Sequence, residues 1–227
     1  AALQKLPVVF ALDRSGAVPD DGETHQGLFD IALFRPVPGV SILAPASARE
    51  MSLMLSWALG RDEPVIIRYP KAACPTEQSA FDLPLETGKG VFTQRDGADI
   101  LIVCTGGIYA EVHEAANMLA RSSLPVDTYN LRFIKPLDED FLVSCASGYR
   151  AVLFVEDGSE TGGIASDLAS IVRERLPHVL AASMAFPDIF YPQGTRQEIL
   201  SFAGLSAVHI YDEALKLRSY IAAGQSR

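Results

Sequence analysis

The sequence lacks both a long hydrophobic run and an excess of basic residues. Apolar runs such as residues 100–104 and 179–182 are far shorter than the ~20 residues that a membrane-spanning helix needs. Lys and Arg number 19 against 28 Asp and Glu, which leaves a net charge of −9. Such a charge disfavours nucleic acid or an anionic membrane as the main partner. We therefore expect no membrane segment and no nucleic-acid partner.

Cysteine is also scarce. Cys74, Cys104 and Cys145 are far apart, odd in number and form no CxxC pair, which disfavours a disulfide scaffold or a cysteine-rich zinc site. A reducing compartment follows, with the cytoplasm expected and a plastid as the alternative. Cys104 ends an apolar run and is expected to be a buried thiol. The chain begins AALQKLP without a Met, and we expect it to be part of a longer protein.

Apolar runs alternate with helix-period segments along most of the chain, which predicts an α/β fold built on parallel sheets. In the first part, the predicted strands are 8–12, 41–44 and 65–69, and the predicted helices are 25–34 and 48–59. In the second part, the predicted strands are 100–104, 126–130, 151–155 and 179–184, and the predicted helices are 109–120, 138–146, 164–175, 195–202 and 206–223. The intervening segment contains prolines and no helical stripe, which predicts a linker.

A polar loop follows the first predicted strand. Its sequence, DRSGAVPDDGETHQG, carries several chemically active side chains: Asp13, Arg14, Asp20, Asp21, Glu23 and His25. Ligands bind at the carboxyl ends of strands in parallel sheets. Thr24 is expected to cap a helix that begins near His25, which would keep this histidine neutral at the positive end of the helix. The alternative is a solvated loop with a capping histidine.

Arg68 ends an apolar strand at the same predicted sheet edge as Arg14. An arginine in a partly desolvated cleft must pair with an anion, so the two arginines predict a clamp for phosphate or carboxylate. The alternative is a salt bridge from Arg68 to Asp13, Asp21 or Asp30.

The second half of the sequence contains weaker signals. Thr105-Gly106-Gly107 lacks the GxGxxG spacing, which favours a turn over a cofactor site. Glu156 and Asp157 follow a predicted strand, where an interface or loop-anchoring role is favoured over catalysis. The remaining histidines are too widely spaced for metal ligands, so we predict no metal site: His113, His178 and His209.

Several motifs resemble those of thiamine-diphosphate enzymes of the transketolase superfamily. The DG-x-THQ motif at residues 21–26 is common to ordinary transketolases. The preceding DR-x-G, the RYP at residues 68–70 and the FPDIFYPQGT at residues 186–195 are similar to the 1-deoxy-D-xylulose-5-phosphate synthases. The resemblance continues through ILAPASAREM, LRFIKPLDEDFL and VEDGSETGGIAS and so covers essentially the whole chain.

The resemblance implies a domain organisation. Residues 1–70 would be the C-terminal part of a pyrimidine-binding domain with a parallel sheet, and residues 71–86 a linker. Residues 87–227 would be a complete, small, doubly wound α/β transketolase C-terminal domain. Thiamine diphosphate and Mg²⁺ would be the cofactors of the intact enzyme. Because their main ligands would lie upstream, this chain alone is expected to bind neither tightly and to be inactive.

The resemblance also implies a reaction and residue roles. Family members are homodimers that condense pyruvate with D-glyceraldehyde 3-phosphate, release carbon dioxide and supply isoprenoid, thiamine and pyridoxal synthesis. Arg14 and Arg68 match the arginines that hold the acceptor's phosphate, and His25 and Asp21 match a pair near the reacting carbon that assists proton transfer. Pro19 stands where relatives have a small residue, which stiffens the loop.

Three other functions remain open on the sequence. The first is a general transketolase or a 2-oxoacid dehydrogenase β-type subunit, which acceptor preference would distinguish. The second is a non-catalytic assembly domain, which would bind no phosphate at Arg14 and Arg68. The third is a dinucleotide-binding domain at residues 105–107, for which the ribose-binding acid is missing because Asn130 follows the next strand.

Overall fold

Two β-sheets organise the chain in a computed structural model, which describes residues 1–224. Residues 225–227, the last three of the predicted C-terminal domain, lie outside the described residues. The sheets are parallel-dominated and mixed with helices, so the predicted α/β class is confirmed. Among residues 1–224, no helix is both long and apolar enough to cross a membrane.

The first sheet has four strands in the order β1-β3-β2-β7. Its strands are β1 (Val9–Leu12), β2 (Ser41–Leu43), β3 (Val65–Arg68) and β7 (Phe133–Lys135). β3 pairs in parallel with both β1 and β2 and is buried along its whole length, as expected for a central strand of continuous apolar sequence. β7 comes from the second half of the chain and pairs antiparallel with β2.

The second sheet has five strands in the order β4-β6-β5-β8-β9. Its strands are β4 (Val91–Gln94), β5 (Ile100–Thr105), β6 (Asp127–Leu131), β8 (Ala151–Ser159) and β9 (Leu180–Phe186). All neighbours are parallel except β4, which runs antiparallel to β6 at the edge. The sequence did not predict β4 or β7, because neither is a continuous apolar run: VFTQ and FIK both end in polar residues.

Seven α-helices cover the sheets within the described residues. They are α1 (Asp30–Phe34), α2 (Ala48–Leu59), α3 (Tyr109–Arg121), α4 (Glu139–Ala146), α5 (Ala165–Arg175), α6 (Arg196–Phe202) and α7 (Ala207–Ala222). Local capping explains several starts: Ser47 caps α2, Asp138 caps α4, and Thr195 with Glu198 forms a capping box on α6.

The predicted helix over residues 25–34 is wrong. A short 3₁₀ helix, Glu23–His25, is followed by extended backbone at Gln26, and α1 begins only at Asp30. Thr24 lies inside the 3₁₀ helix and does not cap it, since Gly22 holds that position. The helical pattern is overridden because Gln26 and Gly27 are used to close the preceding loop.

Short 3₁₀ helices also occupy segments that lie outside the predicted helices and strands. Ala2–Gln4 forms one at the start of the chain, and Ser79–Asp82 forms another within the predicted linker. The second one buries Phe81 completely. The segment between the two sheets is therefore packed against the molecule.

Apolar side chains from both halves share continuous cores. One cluster joins Ile42 and Ile66 of the first sheet to Val103 and Val152 of the second. Cys104 is buried as a free thiol, as predicted, and burial raises its pKa. Since the cores cross between the sheets, the carboxyl edge of the first sheet packs directly on the second half of the chain.

Candidate active site at the carboxyl edge of the first sheet

The predicted site residues Arg14, Asp21 and His25 lie on one loop, residues 13–27, which we call the edge loop. Its ends are tied by paired backbone hydrogen bonds between Gly16 and Gly27, of 2.8 and 3.1 Å. A side chain at Gly27 would overlap the Arg14 carbonyl, so glycine permits this close approach. The Gln26 side chain crosses the inside of the edge loop, where it accepts a hydrogen bond from Val18 N at 2.7 Å and donates one to Val18 O at 3.2 Å.

Arg14 and Asp21 are brought together by the edge loop. Arg14 Nε donates to Asp21 Oδ2 at 3.2 Å, and Arg14 also pairs with Asp13. Lys71 Nζ donates to the same Asp21 oxygen at 3.0 Å. Hydrogen bonds from Lys71 and Arg14 lower the pKa of Asp21, and the hydrogen bond that Arg14 donates to Asp21 raises the pKa of Arg14. The cluster therefore presents two partly exposed cations around one carboxylate.

His25 is exposed on the same loop. Its Nδ1 lies 3.0 Å from Thr24 Oγ1. It ends the 3₁₀ helix Glu23–His25 rather than starting a helix, so the expected influence of a positive helix end on this histidine does not apply. Exposure leaves the imidazole open to a ligand at this edge.

Arg68 lies at the end of β3 but in a different environment. Its side chain is 1% exposed and pairs with Asp30 through Nε at 2.7 Å and with Asp157 through Nη1 at 2.6 Å. Burial alone would lower the pKa of Arg68, but the two carboxylates outweigh it and raise the pKa. Asp30 was among the sequence-based partners for such a salt bridge; Asp157 was not. The structure thus places Arg14 in an open cluster and Arg68 in a buried one.

Asp157 completes the buried cluster from β8 of the second sheet. Its Oδ1 also accepts a hydrogen bond from Thr105 Oγ1 at 2.7 Å, while its Oδ2 has no hydrogen-bond partner among the described residues. Burial would raise the pKa of Asp157, but Arg68 overrides burial and lowers it. The buried pair therefore links the end of β3 to the second half of the chain.

Glu156 faces the opposite side of β8 and is fully buried. Its Oε2 accepts from Ile164 N at 2.7 Å and from Ala165 N at 2.8 Å, which caps the start of α5. Its Oε1 has no partner within residues 1–224. Burial raises the pKa of Glu156 to about 7 even though the two backbone hydrogen bonds oppose it. This agrees with an anchoring role for the segment around β8.

The segment Thr105-Gly106-Gly107 is closely packed against both halves of the chain. A side chain at Gly106 would overlap the carbonyls of Ala44 and Pro45, and one at Gly107 would overlap the Asp157 carboxylate. Both glycines are therefore needed for close packing between the two halves. The backbone at Gly106–Ile108 forms a short 3₁₀ helix, and the preference for a turn over a cofactor site stays a prediction.

Sequence reasoning missed two contributors to the site. Lys71, which contacts Asp21, was assigned to the linker, although its position three residues after Arg68 places it at the same sheet edge. Asp157 was recognised only as an anchoring residue, because its pairing with Arg68 spans 89 residues of sequence. Neither the loop pattern nor the strand pattern encodes a contact of that range.

No metal-binding group is present among residues 1–224, where no three His, Cys, Asp or Glu side chains cluster suitably. The described residues therefore do not fit the Mg²⁺ site that the sequence resemblance implies. No step that requires this ion, or the diphosphate that it would bind, is assigned to the residues of this chain.

Comparison with known families matches both halves of the chain. The model described as "Transketolase, pyrimidine binding domain" matches residues 1–77, and the model described as "Transketolase, C-terminal domain" matches residues 88–210. Strands β1, β2 and β3 lie in the first matched region, whereas β7 and the whole second sheet lie in the second. The chain therefore belongs to the transketolase family.

Within that family, the similar curated proteins are 1-deoxy-D-xylulose-5-phosphate synthases. The enzyme of Treponema pallidum (strain Nichols) is 52% identical over 227 residues, which are 100% of this chain and 36% of that protein. The 1-deoxy-D-xylulose-5-phosphate synthase 1 of Geobacter sulfurreducens is 34% identical over 212 residues, or 92% of this chain and 33% of that protein. The chain thus spans about a third of the length of these relatives.

Solved structures agree on the fold. One described as "Split gene transketolase, inactive beta4 tetramer" has a TM-score of 0.82 and 28% identity, and the match covers 95% of this chain and 68% of that one. The H261F mutant of transketolase from Pichia stipitis has a TM-score of 0.78 and 22% identity, with 99% of this chain and 32% of that one covered.

Proposed function

We propose that this chain supplies part of the active site of a 1-deoxy-D-xylulose-5-phosphate synthase. The enzyme would condense pyruvate with D-glyceraldehyde 3-phosphate, release carbon dioxide and provide a precursor for isoprenoids, thiamine and pyridoxal. The observation that supports this most is 52% identity to such an enzyme over the whole chain. The cationic cluster of Arg14 and Lys71, together with the exposed His25 on the same edge loop, offers the chemistry that a phosphorylated aldehyde requires.

Arg14 is the proposed phosphate ligand of the edge loop. Its guanidinium is partly exposed and pairs with carboxylates of neighbouring loop residues. A phosphate dianion can replace one of those carboxylates and accept a charge-assisted, two-pronged hydrogen bond. Lys71, which shares Asp21 with Arg14, adds a second positive charge at the same place.

Arg68 is the second proposed phosphate ligand, on the strength of the RYP motif. Three of the five N–H donors of a guanidinium are engaged by Asp30 and Asp157 in this structure. The remaining two N–H donors of Arg68 would bind the phosphate. Its buried partners fix the direction of the guanidinium, which favours a rigid ligand.

His25 and Asp21 are the proposed proton-transfer and positioning pair. His25 is exposed on the edge loop, and an imidazole there would donate or accept a proton at the reacting carbon's oxygen substituents. Asp21 is held ionised by Lys71 and Arg14, which lower its pKa. An ionised Asp21 keeps both cations in place and orients polar substrate groups next to His25.

Thiamine diphosphate and Mg²⁺ are the proposed cofactors of the intact enzyme, which supply carbanion stabilisation when bound. Their binding residues would lie outside residues 1–224, so this chain alone would be inactive. We also propose a homodimer, a cytoplasmic location, and domain limits at residues 1–70 and 87–227. The related split-gene transketolase, whose β4 tetramer is described as inactive, is consistent with inactivity of this chain alone.

The reaction is tested in the full-length protein that carries this chain, supplied with thiamine diphosphate and Mg²⁺. Carbon dioxide release from pyruvate is measured with and without D-glyceraldehyde 3-phosphate, alongside the 227-residue chain. We expect release that depends on the aldehyde in the full-length protein and none from the chain alone. Equal release with and without the aldehyde contradicts the proposal.

A general transketolase is the second candidate, favoured by the split-gene transketolase at a TM-score of 0.82. It differs in the donor substrate, since a transketolase transfers a two-carbon unit from a ketose rather than decarboxylating pyruvate. The same protein assayed with a ketose phosphate donor separates the two activities. Turnover of the ketose without turnover of pyruvate would select this candidate.

The role of His25 makes a separate prediction. In the full-length protein, H25A should lower kcat by about 10²–10⁴ because a positioned proton donor or acceptor contributes that factor. The matched control is H178A, which removes an exposed histidine without a hydrogen-bond partner among the described residues. A kcat for H25A equal to that of H178A would leave His25 no part in proton transfer.

A further inference from the structure

The edge loop is held from outside by a segment of the second half, residues 193–196, which we call the strap. Gln193 Nε2 donates to the Asp20 carbonyl at 3.0 Å. Asp20 N donates in turn to the Gly194 carbonyl at 3.0 Å. Asp20 is thus bound on both sides of its backbone by two consecutive residues of the strap.

Arg196 adds a second anchor. Its Nη1 donates to the Ala17 carbonyl at 2.6 Å, and its Nη2 donates to the Gly107 carbonyl at 2.7 Å. Burial lowers the pKa of Arg196 even though the charges of Asp157 and Glu111 oppose it. The planar guanidinium of Arg196 therefore connects the edge loop to the segment after β5. A lysine has no such fork and could not make both hydrogen bonds in the same geometry.

The backbone of the edge loop is conformationally unusual where the strap binds it. Asp20 adopts φ +69° and Gly22 φ +76°, so the residues on both sides of Asp21 are in the left-handed region. A residue with a side chain rarely adopts this conformation unless its surroundings impose it. The hydrogen bonds of the strap to both backbone groups of Asp20 supply that constraint, and Asp21 is the next residue.

We propose that Gln193 and Arg196 are positioning residues that set the location of Asp21 and His25 for the reaction. This inference rests on the proposed function and extends it to the strap. The hydrogen bonds of the strap reach the loop at Ala17 and Asp20. The Arg14 end is anchored independently, because Ser15 N donates to the Tyr69 carbonyl of the β3 end at 3.0 Å. Arg14 also keeps its pair with Asp13, so loss of the strap should lower kcat more than it weakens phosphate binding.

The test uses the full-length protein with its cofactors and compares Q193A with Q197A. Gln197 lies four residues further on, is exposed and has no hydrogen-bond partner in the described part of the chain, so Q197A controls for loss of a glutamine side chain. We expect Q193A to lower kcat about 10-fold, because small displacements of reacting groups cost factors of that order or more. KM for D-glyceraldehyde 3-phosphate should change by a smaller factor than kcat, because Arg14 keeps its backbone anchor at Ser15 and its pair with Asp13.

A second strap variant, R196K, and a second background, H25A, distinguish a positioning role from a loss of folding. R196K keeps the charge but loses the fork, and should lower kcat in the same way as Q193A while the thermal midpoint remains close to wild type. In the H25A background, Q193A should have no further effect on kcat, because both changes act on the same step. A merely structural role would lower kcat equally in either background.

The outcomes separate this inference from the proposed function. Aldehyde-dependent turnover in the wild type with equal kcat for Q193A and Q197A overturns the positioning role alone. No aldehyde-dependent turnover in the wild type overturns the proposed reaction. Hydrogen exchange of the Asp20 amide then tests the contact between the strap and the edge loop directly. Faster exchange in Q193A than in Q197A supports the constraint that the strap places on Asp20. Equal exchange in the two variants contradicts that constraint.

Discussion

Arg68 forms a buried ion pair and is also a proposed phosphate ligand. Its guanidinium is 1% exposed and joins β3 to Asp157, which is 0% exposed, on β8. Removing one partner of a buried ion pair leaves an uncompensated charge, whereas replacing both partners can be nearly neutral. This asymmetry allows the two roles of Arg68 to be measured separately.

In R68M, the free energy of unfolding should fall by about 3–5 kcal/mol because Asp157 is left buried and unpaired. Urea unfolding of the R68M and R68M/D157N variants should show recovery in the double variant. If Arg68 also binds phosphate, kcat/KM for D-glyceraldehyde 3-phosphate stays low in the double variant. Recovery of both stability and kcat/KM would assign Arg68 a structural role only.

Glu156 predicts a pH dependence of stability. Its pKa of about 7 lies above the ordinary value of 4.5, so the folded state binds the proton more tightly than the unfolded chain. The contribution of Glu156 to the free energy of unfolding is then fully present below pH 4.5, decreases as the pH rises toward 7 and is constant above it. Over that window the change amounts to about 3 kcal/mol.

The E156Q variant should lack this decrease, because a glutamine can accept the same backbone hydrogen bonds from α5 without titrating. The measurement is urea unfolding between pH 4.5 and 7.5 for wild type, E156Q and E160Q. Glu160 is exposed, so E160Q serves as the control and should follow the wild type. A wild-type slope in E156Q would show that Glu156 does not titrate in this range.

At the scale of elements, the strands were more predictable than the loop segments. Continuous apolar runs such as those of β3 and β5 allow only a buried strand between polar flanks, and both lie where the pattern placed them. The helix expected to begin at His25 failed because Gln26 and Gly27 bond back to Val18 and Gly16. That closure depends on tertiary contacts, which periodicity does not report.

Another link between elements is the buried pair of Glu50 on α2 and Arg132 between β6 and β7. Arg132 Nε donates to Glu50 Oε1 at 2.6 Å, and its other nitrogens donate to the carbonyls of Leu83, Pro84 and Ala80 in the segment between the sheets. Asn130 Nδ2 donates to Glu50 Oε2 at 2.9 Å. Burial raises the pKa of Glu50 despite the opposing Arg132. The pair therefore ties three segments together.

R132M should lower the free energy of unfolding by about 3–5 kcal/mol, because it leaves Glu50 buried without its cation. R175M breaks the exposed pair of Arg175 with Asp140 at 2.7 Å and should cost no more than about 1 kcal/mol. Both are measured by urea unfolding at pH 7. Equal losses for the two variants would contradict the linking role of Arg132.

At the scale of the whole molecule, the two halves are interlocked. β7 leaves the second half to complete the first sheet, and the ion pairs of Arg68 and Arg132 cross between the halves. The α/β class and the positions of Arg14, Asp21 and His25 on one loop followed from sequence. Three features could not be predicted, because each depends on residues distant in sequence. They are the burial of Arg68, the contact of Lys71 with Asp21, and the hydrogen bonds from residues 193–196 to the edge loop.

Phosphate recognition by Arg14 is the central claim for the site, and one measurement addresses it directly. The ratio of kcat/KM for D-glyceraldehyde 3-phosphate to that for D-glyceraldehyde is determined in the full-length protein for wild type, R14M and R61M. Arg61 is exposed and packs over the Trp57 ring at 4.1 Å, so R61M controls for the loss of a surface arginine.

A charge-assisted contact is worth roughly 1.5–3 kcal/mol, so the ratio in R14M should fall by about 10- to 100-fold. R61M should retain the wild-type ratio. An R14M enzyme that prefers the phosphorylated aldehyde as strongly as the wild type would contradict the assignment of the edge loop as the phosphate-binding part of the site.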